Sequence, residues 1–112
     1  LIPTTCEMAG VQVPDTVEVP SLLGLLNGSQ RRLHDDIYGA FRHYQRMLRT
    51  RDYKLIYYPE VDERQLFDIR SDPWEINNLA GKPGSRAKIE ELKRKMIAWQ
   101  PAVGDTLDLS KI

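Results

Sequence analysis

The sequence predicts an α+β fold: a four-stranded antiparallel sheet packed against a C-terminal amphipathic helix, with short N-terminal helices. Three observations carry that reading. Between residues 37 and 69, short β-rich runs are joined by connections that only antiparallel neighbours can use. Between residues 85 and 100, Ile89, Leu92, Met96 and Trp99 recur at steps of three, four and three, the spacing of one helix face. In a chain of 112 residues, 41% of them hydrophobic, one helix laid across one sheet covers both apolar surfaces.

The elements follow in order. Leu1-Ile2-Pro3-Thr4 reads as a helix entered in its first turn, where proline's missing N–H removes no helical bond. It runs through Met8 and Ala9 and stops at Gly10. Leu1 is not an initiator methionine, and a helix entered this way predicts a piece of a longer polypeptide. A linker punctuated by Pro14 and Pro20 follows, and Ser21 then caps a short helix from Leu22 to Asn27, closed by Gly28. Leu22, Leu23, Leu25 and Leu26 leave that helix almost no polar face, which predicts docking onto protein outside this chain. Residues 1–28 are therefore assigned to the end of an upstream domain, and residues 29–112 to the sheet-and-helix subdomain.

In the first strand Ile37, Gly39 and Phe41 share a face. Gln45 to Thr50 follows after a tight connection, with Met47 and Leu48 on opposite faces. Thr50-Arg51-Asp52 supplies a turn, and Tyr53 to Tyr58 is a run of β-formers stopped by Pro59. Glu60 to Arg64 reads as a polar loop, and Gln65 to Ile69 as the last strand. Asp72-Pro73 opens a corner that Trp74, Ile76 and Leu79 should anchor apolarly. The helix from Ser85 to Gln100 carries Glu90–Arg94 and Glu91–Lys95 pairs on its outer face and is stopped by Pro101. Residues 102–112 read as a loosely held tail.

Sixteen basic and sixteen acidic residues argue against a dedicated nucleic-acid binder, which usually shows a basic excess. The longest apolar run, Leu22 to Leu26, is interrupted by Gly24 and far too short to span a membrane. One cysteine excludes an internal disulfide and, with two histidines, a Cys/His zinc cluster. Charge nevertheless alternates along the chain. Residues 29–58 hold seven bases and three acids, and residues 59–80 two bases and six acids, which suits segments that pack side by side.

Chemistry is sparse. Cys6, beside Glu7 in a helix, reads as a structural thiol. His34-Asp35-Asp36 could ligate a cation or form a solvated turn. The bases from Arg31 to Lys54, interleaved with Tyr38, Phe41, Tyr44 and Tyr53, could stack and bind single-stranded nucleic acid, or form a solvated strand face. Trp74 and Trp99 read as corner and core packing. No glycine-rich phosphate loop, Gly-x-Ser-x-Gly or His-Glu-x-x-His is present.

Three stretches together resemble the C-terminal subdomain of the type I, formylglycine-dependent sulfatases, the arylsulfatase family. The first is Leu1-Ile2-Pro3-Thr4 with Ala9-Gly10 and Ser21-Leu22-Leu23-Gly24-Leu25-Leu26. The second is Arg46-Met47-Leu48-Arg49-Thr50-Arg51-Asp52-Tyr53-Lys54-Leu55-Ile56. The third is Leu66-Phe67-Asp68-Ile69 with Asp72-Pro73-Trp74-Glu75-Ile76-Asn77-Asn78-Leu79-Ala80. Glu18-Val19-Pro20 stands where the family usually has Asp-Gly ahead of the Ser-Leu pair.

The resemblance implies a parent enzyme that hydrolyses sulfate esters, with a formylglycine made within Cys/Ser-x-Pro-x-Arg and a calcium ion. Neither belongs to this chain, since Cys6 is followed by Glu7-Met8 without that proline or arginine. It further implies that the subdomain is catalytically inert alone, packs on the upstream catalytic domain, and lends loops to the substrate-pocket rim. A basic, hydrogen-bonding turn would suit a sulfated small molecule or glycan, and Arg42, His43, Gln45 and Arg46 are the candidates. Parent enzymes of this kind are often periplasmic, secreted or lysosomal, and the sequence does not name the compartment. The alternatives are the tail of a phosphonate or phosphate monoester hydrolase, and a free-standing binding module using the basic hairpin 42–54.

Overall fold

Turn chemistry and side-chain alternation build the sheet. Its strands are β1 (Ile37–Phe41), β2 (Gln45–Arg49), β3 (Tyr53–Tyr58) and β4 (Glu63–Asp68), antiparallel neighbours in the order β1-β2-β3-β4. The predicted meander is thus present. β4 starts at Glu63, ahead of the expected Gln65, because Asp62 turns the chain with a left-handed φ of 51° and frees Glu63 to pair with Tyr58. At the β2–β3 turn the Thr50 N–H donates to the Tyr53 carbonyl at 2.8 Å, and the Tyr53 N–H donates to Thr50 Oγ1 at 3.0 Å.

Register then sorts the side chains. Leu48 lies opposite Leu55, and Leu55 opposite Leu66, so the three share one face and all are buried. Tyr57 joins them, and α3 (Arg86–Val103) sets Ile89, Leu92 and Met96 against the same layer. Burial of a side chain such as Leu92 stabilises the fold by about 1.5–3 kcal/mol. The chain is described over residues 1–112 in a computed structural model and divides into two compact units, Leu1–Asp35 and Asp36–Ile112. The division falls later than the composition change at residue 28.

Four expectations for the second unit are corrected. Pro101 lies inside α3 rather than ending it. It withdraws one N–H from the last turn, but the chain stays helical until Gly104, whose φ of 65° suits glycine and lets the Asp105 N–H reach the Gln100 carbonyl at 3.0 Å. The tail is not loose, since Leu109 and Ile112 are core residues and Lys93 Nζ donates to the Ser110 and Ile112 carbonyls at 2.8 and 3.1 Å.

The outer-face pairs on α3 also differ. Lys95 reaches Asp36 at 2.8 Å, where Trp99 Nε1 donates to the same carboxylate at 2.6 Å, and Glu91 pairs with Lys88. Arg94 donates to the Glu90 carbonyl instead of its carboxylate. Finally, Trp74 and Ile76 are 83% and 76% exposed, so only Leu79 anchors the corner apolarly. Polar groups hold the rest. Asp72 Oδ2 accepts the Asn77 N–H at 2.7 Å, and Asn78 Oδ1 accepts the Leu66 and Ala80 N–H groups at 3.0 Å each.

In the first unit, α1 (Ile2–Met8) and α2 (Leu23–Leu26) are both short. Pro3 and Thr4 are buried, and Thr4 Oγ1 accepts the Leu22 N–H at 2.8 Å. Ser21 Oγ accepts the Leu23 N–H at 3.1 Å, close to its predicted capping role. Gly10 and Gly28 end the helices at φ 66° and 77°. Leu1, Met8 and Leu26 remain exposed.

Candidate functional site

The β1–β2 turn carries the residues singled out by sequence, and strand alternation divides them. Arg46 is two positions from Leu48, so it points to the α3 side of the sheet and is buried. A buried guanidinium needs partners for its donors, and Arg46 has them. Its Nε and Nη2 donate to Asp105 Oδ2 and Oδ1 at 2.7 and 2.8 Å, a bidentate pair with both side chains more than nine-tenths buried. Its Nη1 donates to the carbonyls of Arg42 and Gln45 at 2.6 and 2.9 Å. Arg46 therefore staples the backbone of the turn rather than lining its surface.

That staple has a conformational role. Arg42 stands at φ 46°, in the left-handed region that an L side chain disfavours, and bonds to its own carbonyl help to hold it there. Arg42, His43 and Tyr44 are exposed, and Gln45 is half-buried. His43 Nε2 lies 3.0 Å from Glu60 Oε1 of the β3–β4 turn, and the His43 and Tyr44 rings pack tilted at 42° with centroids 4.0 Å apart. The turn thus presents one guanidinium and one imidazole that shares a carboxylate.

Asp105 also accepts the Tyr38 hydroxyl proton, the Leu107 N–H at 3.2 Å and a Gln100 amide proton at 3.4 Å. These donors, the Arg46 guanidinium first, hold its carboxyl far below the usual carboxylate range. Burial, then the hydrogen bond to Asp105, pushes the Tyr38 phenol well above its ordinary value. Sequence reasoning missed Tyr38 and Asp105 as partners of Arg46. The available signal was a basic residue at a core position of β2, which requires an acid brought by another element.

The remaining candidates disperse. Asp35 pairs with Arg32 at 2.6 Å while Asp36 is held by Lys95 and Trp99, and no group of three His, Cys, Asp or Glu could hold a metal ion. The basic hairpin is likewise broken up. Arg46 faces α3, Lys54 pairs with Glu75 at 2.7 Å, and Arg42 and Arg51 sit in turns at opposite ends of β2. Cys6 is half-buried in α1.

The architecture is an antiparallel meander under one long helix, entered through an Asp-Pro corner. Its family can be stated. Residues 1–102 match the family described as N-sulphoglucosamine sulphohydrolase, C-terminal, and the chain belongs to it. The N-acetylglucosamine-6-O-sulfatase of Bacteroides thetaiotaomicron is 33% identical over 92% of this chain and 21% of its own length. A solved structure of a protein in complex with its substrate D-glucosamine-2-N,6-O-disulfate superposes with TM-score 0.79 at 28% identity, over 93% of this chain and 24% of that one. A phosphonate monoester hydrolase from Silicibacter pomeroyi shares the fold, with TM-score 0.70 at 19% identity, over 89% of this chain and 24% of its own. The chain thus spans about a quarter or less of these relatives.

Proposed function

We propose that this chain closes the fold of a sulfuric ester hydrolase and lends its β1–β2 turn to the rim of the substrate pocket. The family match over residues 1–102 carries the reading, joined to the three motifs of the sequence. Formylglycine and calcium, implied by the family resemblance for the parent enzyme, would come from outside these 112 residues, and Cys6 stands without the Pro and Arg of the formylglycine motif. Alone, the chain is inert. The substrate class is a sulfated small molecule or glycan, and Arg42, His43 and Gln45 are the rim groups, with Arg46 positioning the turn from behind.

The test uses the complete polypeptide. Arg42→Ala and His43→Ala should each lower kcat/KM for a sulfated N-acetylglucosamine by about tenfold, the worth of one charge-assisted hydrogen bond. Unchanged values for both variants remove the rim role. A phosphonate monoester assayed in parallel decides the other point, since preferential hydrolysis of that substrate would replace sulfate-ester chemistry by the alternative. Salt-dependent binding of single-stranded nucleic acid by the 112-residue chain would instead support the free-standing module.

A further inference from the structure

At the other end of the sheet, two exposed arginines, Arg51 and Arg70, line one open cleft. The β3–β4 register places Tyr53 opposite Asp68, and the Ile69 N–H extends that ladder by donating to the Asp52 carbonyl at 2.8 Å. Arg51 and Arg70 lie beyond the paired strands, in the β2–β3 turn and in the turn that follows β4. Like charges that line one cleft repel each other. Both arginines are exposed, and neither guanidinium pairs with a carboxylate, in contrast to Arg32 and Arg46. Together with Asp52 they line a cleft of about 320 Å³. The Asp68 carboxylate, the other acid close in sequence, is turned back onto the Arg70 and Ser71 N–H groups at 3.1 and 3.2 Å.

We infer that the Arg51–Arg70 cleft binds a tetrahedral oxyanion, a sulfate or sulfate ester, at a site separate from the β1–β2 turn. Two planar guanidinium forks lining one cleft can each donate N–H groups to such an anion, whose charge offsets their mutual repulsion. Asp52, half-buried at the cleft wall, opposes the ligand and sets the affinity. The five residues of β2 separate this cleft from the Arg42 turn by roughly 17 Å, so one sulfate group cannot occupy both. The inference stands on this geometry whether or not the rim proposal holds.

The experiment follows the Nε–Hε resonances of the arginines in the 112-residue chain. Sodium sulfate and glucosamine 6-sulfate are titrated separately, with sodium chloride at matched ionic strength as the reference. The expected result is a saturable shift at Arg51 and Arg70 but not at Arg42. Arg51→Ala and Arg70→Ala should each weaken binding about tenfold, and Asp52→Asn should tighten it. Tighter binding of the sugar assigns the site to a sulfate ester, and equal affinity assigns it to the free ion. Shifts no different from those in chloride, or spread equally onto Arg42, overturn the inference. Unchanged backbone amide spectra establish that the variants fold, and failure of the Arg42→Ala assay leaves this result untouched.

Discussion

The two ends of the sheet use arginine in opposite ways. At one end Arg46 is buried, bidentate to Asp105 and bonded to two carbonyls. At the other, Arg51 and Arg70 are exposed in turns and have no acidic partner. The difference comes from strand phase. A charge two residues from Leu48 must enter the core, where it survives only if paired, whereas a charge in a turn keeps its hydration and stays available. The first kind of arginine holds the fold, and the second can meet a ligand.

The sharpest way to break this contrast is at Asp105. Asp105→Ala leaves Arg46 buried and unpaired and should cost about 3–5 kcal/mol in urea denaturation. A loss below 1 kcal/mol would place Arg46 in the same class as Arg51. Next in size, Leu109→Ala should cost about 2–5 kcal/mol in the same assay, because the C-terminal segment is part of the core.

The pH profile sharpens the comparison further. The carboxyl of Asp105 titrates lower in the folded chain than in the unfolded one. Its contribution is therefore present above the ordinary range near about 4, and is lost as pH falls through the folded value. Tyr38 is shifted upward, so its contribution is full below about 10 and is lost as pH rises through the folded value. Stability should stay level between those limits, and Asp105→Asn should flatten the acid limb in denaturation measured from neutral pH downward.

Smaller effects are expected outside the cluster. Glu75 stands at φ 55° and pairs with Lys54. Glu75→Gly relieves about 1 kcal/mol of left-handed strain and loses an ion pair worth about 0–1 kcal/mol, so the midpoint should hardly move. Glu75→Gln keeps the strain and should be the less stable of the two. Smallest of all, Arg51→Ala should leave stability unchanged within about 0.5 kcal/mol.

What the sequence made legible follows the same division. Period-2 runs and short connections defined the meander, and the stripe from Ile89 to Trp99 defined the helix face. Pro101 misled because it removes a single N–H in the last turn, whereas Gly104 supplies the backbone conformation that ends the helix. Trp74 and Ile76 misled because apolarity suggested burial, while Asp72 and Asn78 hold the corner through backbone bonds. The pairing of Arg46 was not legible, since its acid lies on the far side of the helix in sequence. Of the residues singled out at the β1–β2 turn, Arg42 and His43 were recognisable from the turn itself, but the staple behind them was not.

The Arg46–Asp105 pair also bears on the order of folding. The two residues are 59 positions apart, and Tyr38 and Asp105 are 67 apart. Each hairpin of the meander closes over a few residues, whereas this cluster needs both the sheet and the end of α3 in place before any of its bonds can form. It belongs to the native side of the barrier. Its loss in Asp105→Ala should accelerate unfolding and leave the refolding rate almost unchanged, so the cluster governs how long the domain persists once made.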